Sequence, residues 1–509
     1  MGDDTNQSSI IHRADGVTTA ERYLKKLCER TFLSLWSYPG IYRNQGNVKT
    51  GEGKEVCDLL VVFQNHVIIF SDKDCAFPNS GDTELDWSRW FRRAVMESAK
   101  QVWGAERWIK SYPNRLFLDR ACTQPFPIEL PNLGTASFHR IVVAHDASRR
   151  CKEELGGSGS LMLAPSVIGP MHYDHSKGGC KPFTIGQIDP SKGFVHVFDD
   201  TSLDIVMNTL DTITDFVNYL SKKEAFISSG RLGWTAGEED LLAFYLRELN
   251  ESGEHDFVVP PDTHKVYIEE GHWEDFSRHP QRLAQVDANR VSYAWDALIE
   301  TFSGHIFAGT SYTMSHPELR DQEKLFRLFA REPRTRRRML ARSLFELIKK
   351  SPRSQRATRV ILPSQEGEPY YVFLLLPELE HVPYAQYREV RRKFLNACCM
   401  VTKLKFPEAQ DILGIATETG INENSSHDAA YFDAREWTAE DEAEAQSLHE
   451  DLGLLVNVNE FASRELEYPE LQVVHPFAAR RAPRSTMKGR DRNAPCPCRS
   501  GKKYKKCCG

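Results

Sequence analysis

GEGKEVCDLLVVFQNHVIIFSDK, residues 51–73, decides how the first half of this 509-residue chain is read. Asp58-Leu59-Leu60-Val61-Val62-Phe63 and Val67-Ile68-Ile69-Phe70 are apolar and rich in β-branched residues. Each predicts a short buried strand, with Gln64-Asn65-His66 as the turn between them. Asp58 opens the first strand, and Ser71-Asp72-Lys73-Asp74 closes the second. A divalent cation takes hard oxygen ligands held on rigid backbone, and a nearby lysine helps orient or deprotonate a water that the cation has acidified. An aspartate on one strand and an acid-x-lysine at the end of its hairpin partner supply such parts.

The flanks are helical. Thr18-x-x-Glu21 fits a capping box, and Leu24, Leu27, Cys28 and Leu35 recur at helical spacing until Tyr38-Pro39-Gly40 stops the run. After the loop Pro78–Asp82, a long helix is expected from about Asp86 to Ser111. Its Trp87, Trp90, Phe91, Trp103 and Trp108 alternate with Arg89, Arg92, Arg93, Lys100 and Arg107. Most of the tryptophans belong in a core, and the basic rim could meet phosphate. From Thr135 to about Asp200, the runs Phe138–His145, Ser160–Ala164, Pro182–Gly186 and Phe194–Asp199 read as strands, and the first ones are expected to extend the hairpin's sheet. His172-Tyr173-Asp174-His175 and Cys180 carry metal-capable side chains at no zinc spacing, and read as a polar loop.

This helix–strand–strand–helix order around D…DxK resembles the PD-(D/E)xK nucleases, the restriction-endonuclease-like family. The resemblance implies an α/β (α+β) fold over residues 18–225, with a mixed sheet flanked by helices and a catalytic Mg²⁺ or Mn²⁺. Asp58 matches the family's first acid, and Lys73 its lysine, with twelve residues between Asp58 and Ser71. The second acid should stand two residues before the lysine, where this chain has Ser71. Residues 69, 71 and 73 share one face of a strand, and Asp72 points to the other. Asp72 therefore reaches the metal only from a distorted strand end. Otherwise Glu55 or Asp74 substitutes for it, or the site is inactive. The family also draws a glutamate from the preceding helix, here Glu21 or Glu29, and a polar residue from the following one, here Lys100 or Gln101.

The remainder divides into an α-rich segment (226–316), an α+β module (317–475), a basic linker (476–492) and a small tail (493–509). Arg331, Arg334, Arg336, Arg337, Arg338 and Arg342 open an amphipathic helix, as a solvated face or a phosphate contact. Cys398 and Cys399 are expected to be buried on a later helix. No run is long and apolar enough to span a membrane, and the start has no basic-then-apolar leader, so a cytoplasmic protein with reduced thiols is expected.

From Ala479 onward there are eleven Lys/Arg and one acid. A tail of about +10 therefore sits on a body near −16, for the net charge of −6. That balance suits local contact with a polyanion, or a tail folded on the acidic body, rather than a surface that grips DNA throughout.

The tail CPCRSGKKYKKCCG, residues 496–509, is similar to the SEC-C motif named for the end of the preprotein translocase ATPase. The resemblance implies a tetrahedral zinc knuckle held by Cys496, Cys498, Cys507 and Cys508, with no open position for catalysis. It also implies a docking role toward nucleic acid or a protein partner. The chain lacks a GxxxxGK[ST] phosphate loop, which excludes the translocase activity itself. Two functions are expected: a metal-dependent nuclease acting on DNA in preference to RNA, or a degenerate nuclease-like adaptor acting through the tail.

Elemental analysis of the purified chain should find one Zn²⁺. Replacing Cys507 and Cys508 by serine should remove it and leave the thermal unfolding of the body unchanged, because a structural zinc stabilises mainly its own module. A zinc-free intact chain would refute the assignment.

Overall fold

Thr18 accepts from the Glu21 amide while the Glu21 carboxylate reaches back to the Thr18 amide, and this capping box starts helix α1 (Thr19–Phe32). The computed structural model describes residues 10–470 apart from 46–51, 175, 177–180, 311–317, 380, 421–424 and 463–464. Next come the strands of the main sheet, β1 (Ser37–Arg43), β2 (Lys54–Phe63) and β3 (His66–Lys73), paired antiparallel in that order. Helices α2 (Thr83–Phe91) and α3 (Glu97–Ser111) follow, joined through a π-turn at Arg92–Met96, and β4 (Ser137–Ala144) lies parallel to β3. Trp87 and Trp90 are fully buried, with indole N–H groups donating to the carbonyls of His172 and Cys75. Trp87, Trp90 and Trp108 are core, so most of the tryptophans of this helical stretch are buried as expected, and Trp103 packs partly buried against them.

After α4 (Ser148–Leu155), β5 (Met162–Ile168) and β6 (Thr184–Gln187) leave the sheet. β7 (Val195–Phe198) then returns as its fifth strand, parallel to β4. The first and last of the four expected strand runs therefore extend the hairpin's sheet. The middle two build a second sheet of order β6-β5-β8-β9 with β8 (Leu232–Thr235) and β9 (Val266–Ile268). The reason lies in β5, which alternates buried and partly exposed residues and contains Pro165. Such a strand suits an outer sheet rather than a slot closed on both faces.

Helices α5 (Asp200–Thr209) and α6 (Ile213–Ser228) pack with α1, while α3 lies across β2, β3 and β4. The chain continues through α7 (Glu238–Arg247), α8 (His272–Arg278), α9 (Pro280–Asn289), α10 (Tyr293–Phe307), α11 (Leu319–Ala330) and α12 (Arg334–Lys350). A third sheet follows, of order β10 (Ala357–Ile361), β11 (Tyr370–Leu376), β12 (Asp411–Glu418) and β13 (His427–Asp433). Helix α13 (Tyr384–Lys405) crosses from β11 to the parallel β12, and α14 (Ala439–Leu452) ends the module. All of β11 is buried. Tyr371, Phe373 and Leu375 join the same core as Leu24 and Phe70, whereas Val372 and Leu374 pack in a second core with Cys398 and Cys399 of α13. The observed class is mixed α+β with several helix-flanked mixed sheets. No helix among the described residues is long and apolar enough to cross a membrane.

Most of the arginine run is not a solvated face: Arg334, Arg337 and Arg338 are buried, and Arg342 alone of the six is exposed. Arg337 and Arg338 have no exposure and Arg334 has 6%. Arg334 pairs with Asp211 at 2.8 Å and Asp296 at 2.7 Å. Arg337 takes the other oxygen of Asp296 at 2.7 Å, and Arg338 and Arg342 both reach Glu465 at 2.8 Å. Arg331 donates to the Gly367 carbonyl and Arg336 to Ser364. The acids that neutralise the run come from distant parts of the chain, so local sequence gave no sign of them. Removing one partner strands a buried charge and typically costs about 3–5 kcal/mol. Arg337→Ala should therefore lower the urea midpoint sharply, whereas Lys349→Ala, at the exposed end of the same helix, should leave it within error.

Candidate functional site

Leu59 of β2 stands opposite Phe70 of β3, and one further step along the antiparallel register sets Asp58 across from Ser71. Asp58 Oδ2 accepts the Asp72 backbone N–H at 2.6 Å. On the other side of β2 the register breaks: Ile41 faces Cys57, but Tyr42 faces Glu55. Val56 is thus the extra residue of a β-bulge. A single extra residue inverts the alternation of side chains, so Glu55 turns to the face of Asp58, where a regular strand would send it to the opposite side. Glu55, Asp58, Ser71 and Lys73 consequently share one face at the end of the hairpin. Helix α3 covers that face and places Gln101, whose Oε1 accepts from Ser71 Oγ at 3.1 Å.

The electrostatics follow from this crowding. Burial raises the Asp58 carboxyl to about 6; the Asp72 amide works against the rise, and the Asp72 and Glu21 charges add to it. Desolvation and the neighbouring Asp58 and Glu21 carboxylates push Glu55 up to about 7. Lys73 is exposed at the end of β3 and has no ion-pair partner among the described residues. The oxygens of Asp58, Glu55 and Gln101 are hard donors. Still, no three His, Cys, Asp or Glu side chains among the described residues converge as a ready-made ligand set.

The other expected residues fall elsewhere. The β3 strand end is regular, so the Asp72 carboxylate lies on the opposite face, with its side chain 2% exposed. Asp74 lies past the end of β3. Glu21 is occupied by the capping box and reaches Asp58 and Glu55 only through its field. Glu29 pairs with Arg13 at 2.8 Å, and Lys100 with Glu97 at 2.6 Å. His172 is no member of a polar loop. It is fully buried, stacked on Phe91 at 4.7 Å, and bonded to the Gly169 carbonyl and the Gly186 amide. His175 and Cys180 lie outside the described residues.

A second constellation escaped the sequence reading. His145, just past β4, is held between Asp72 at 2.6 Å and Asp200 at 2.5 Å. These residues stand at the ends of three different strands of the parallel half-sheet, and no sequence spacing links them. Burial disfavours the charged ring, but the hydrogen bonds it donates to Asp200 and Asp72, together with their charges, outweigh this and raise His145 to about 10. An unfolded histidine titrates near 6.5, so the stability gained here is complete below that pH. It declines as pH rises and is gone above about 10. His145→Ala should lose about 2 kcal/mol at pH 6. The gap between variant and parent, followed by urea unfolding, should close as pH approaches 10.

No curated protein matches the chain. The SEC-C motif family matches residues 492–509, which include Cys496, Cys498, Cys507 and Cys508 and lie outside the described residues. The tail carries a SEC-C motif.

Proposed function

We propose that the chain is a metal-dependent nuclease of the PD-(D/E)xK type, with Asp58 and Glu55 holding Mg²⁺ or Mn²⁺ and Lys73 beside the scissile phosphate. The observation that carries this reading is the Val56 bulge. It brings a second carboxylate to the face of Asp58 at the point where the strand pattern offers only Ser71. The helix–strand–strand–strand–helix–strand order of α1, β1–β3, α3 and β4 also supports it. Two carboxyls raised by desolvation and by neighbouring carboxylates fit a cation, because a bound positive charge would relieve both. When bound, the cation supplies an acidified water and neutralises charge on the phosphate.

The chain's own residues do the rest. The Asp72 amide fixes the rotamer of Asp58, and Gln101 fixes the Ser71 hydroxyl toward α3. Lys73 Nζ offers positive charge to the non-bridging oxygens as charge builds there in the transition state. Exposed Arg89 and Arg93, on the helical stretch that leads into α3, supply phosphate contacts that position a strand without reading bases. The substrate class is DNA before RNA, and the zinc tail docks substrate or a partner protein. A second reading, a degenerate adaptor acting through the SEC-C tail, is favoured by Ser71 at the acid position and by the engagement of Asp72 with His145.

Plasmid and single-stranded substrates should be cut in Mg²⁺ or Mn²⁺. Asp58→Ala, Glu55→Gln and Lys73→Ala should each slow cutting at least about a hundredfold, with circular dichroism unchanged. Asp72→Ala should retain more activity than any of the three. A wild-type chain that cuts nothing in either metal supports the adaptor.

A further inference from the structure

The second and third parts of the chain meet around a cavity of about 390 Å³ that none of the hairpin's residues line. It is lined from α7, α8, α9 and the returning segment 465–470. That size falls within the range of small-ligand sites. Two guanidinium groups face it, each lying over a phenyl ring: Arg247 over Phe244 at 4.8 Å, and Arg282 over Phe276 at 5.5 Å. Tyr468 adds a third ring, held in place because its hydroxyl donates to the Leu246 carbonyl at 2.6 Å.

Arg282 is the informative residue. Its side chain is partly buried and donates to the neutral Gln285 amide oxygen; among the described residues no carboxylate pairs with it directly. Elsewhere in this protein, enclosed guanidinium groups are matched by acids, as with Arg334, Arg337 and Arg391. Burial pushes the Arg282 guanidinium below its ordinary range, and only more distant negative charges oppose the shift. The Gln285 amide stands between Arg282 and the Glu467 carboxylate, so the partly buried guanidinium touches no counter-ion and gains from an anion that arrives beside it. A guanidinium is also the side chain best suited to take a phosphate in a forked grip. With rings lining the walls beside the two forks, the cavity matches a ligand that joins a flat ring to a phosphate. Asp275, on the same lining, offers an acceptor for an amino group on that ring.

We infer that this cavity is a binding site for a nucleoside monophosphate, its phosphate held by Arg282 and Arg247 and its base stacked among Phe244, Phe276 and Tyr468. The site is separate from the hairpin end and does not depend on the nuclease reading.

Isothermal titration calorimetry and thermal unfolding of the full chain with AMP, UMP, adenosine and sodium phosphate test this directly. AMP or UMP should bind with a sub-millimolar Kd and raise the unfolding temperature, and adenosine and phosphate alone should each bind at least tenfold more weakly. Arg282→Met should weaken the nucleotide at least tenfold. Arg247→Ala removes a half-exposed side chain whose ion pair, to Glu248 at 3.0 Å, lies at the surface, and it should weaken the nucleotide several-fold while moving the ligand-free unfolding temperature little. Absence of heat and of any thermal shift with both nucleotides at millimolar concentration would overturn the assignment. Nucleotide binding unaffected by Arg247→Ala and Arg282→Met would overturn it equally.

Discussion

Strand β3 is closed in on every side, and the main sheet is organised by that constraint. Residues Val67 to Ser71 have no exposure, β2 and β4 occupy both edges, and helices cover both faces. A strand so enclosed satisfies its backbone within the sheet and tolerates no charge along its length. Polar chemistry can therefore collect only where the strand ends, and there Ser71, Asp72 and Lys73 emerge together. The pairing extends one step further, with the His145 amide donating to the Lys73 carbonyl at 3.3 Å. This ties the end of β4 to the same place. Ends of parallel strands are where open sheets generally host ligands.

The strand end serves two sides at once. Ser71 and Lys73 turn toward α3 with Asp58 and Glu55, while the Asp72 carboxylate turns the other way to His145 and Asp200. Asp72 links the two sides through its backbone, because its amide holds Asp58 while its carboxylate is fixed by a charged imidazole. A rigid Asp72 thus pre-positions Asp58 without taking a place beside it. The cost of collecting carboxyls at this point shows in the raised Asp58 and Glu55, the state expected of groups arranged for a cation or a proton.

Elsewhere charge is used internally. The acidic body and the arginine-rich helix α12 neutralise one another through Asp211, Asp296 and Glu465, which come from three separate regions. Desolvated pairs of this kind contribute less to net stability than to fixing which parts meet. Here they hold α10, α12 and the returning segment 465–467 in one arrangement. Arg282 differs in touching the neutral Gln285 amide, which itself donates to Glu467, rather than a carboxylate.

The local features of the chain were legible without tertiary information because they depend on neighbours in sequence. The apolar runs of β2 and β3, the capping box at Thr18, the buried Cys398–Cys399 pair and the SEC-C cysteines all follow from spacing and residue type. The mixed α+β class followed from the order of those elements. Glu55 could be named as a substitute acid but not selected, because the bulge at Val56 arises from pairing with β1 rather than from residues 54–58. The His145 clamp, the burial of Arg334, Arg337 and Arg338, and the departure of β5 and β6 to a second sheet were not readable either. Each depends on partners between about 20 and 130 positions away, and a charged side chain looks the same in sequence whether water or a distant carboxylate will neutralise it. Sequence alone determined which segments fold and what the tail resembles; tertiary pairing decided which charges face one another.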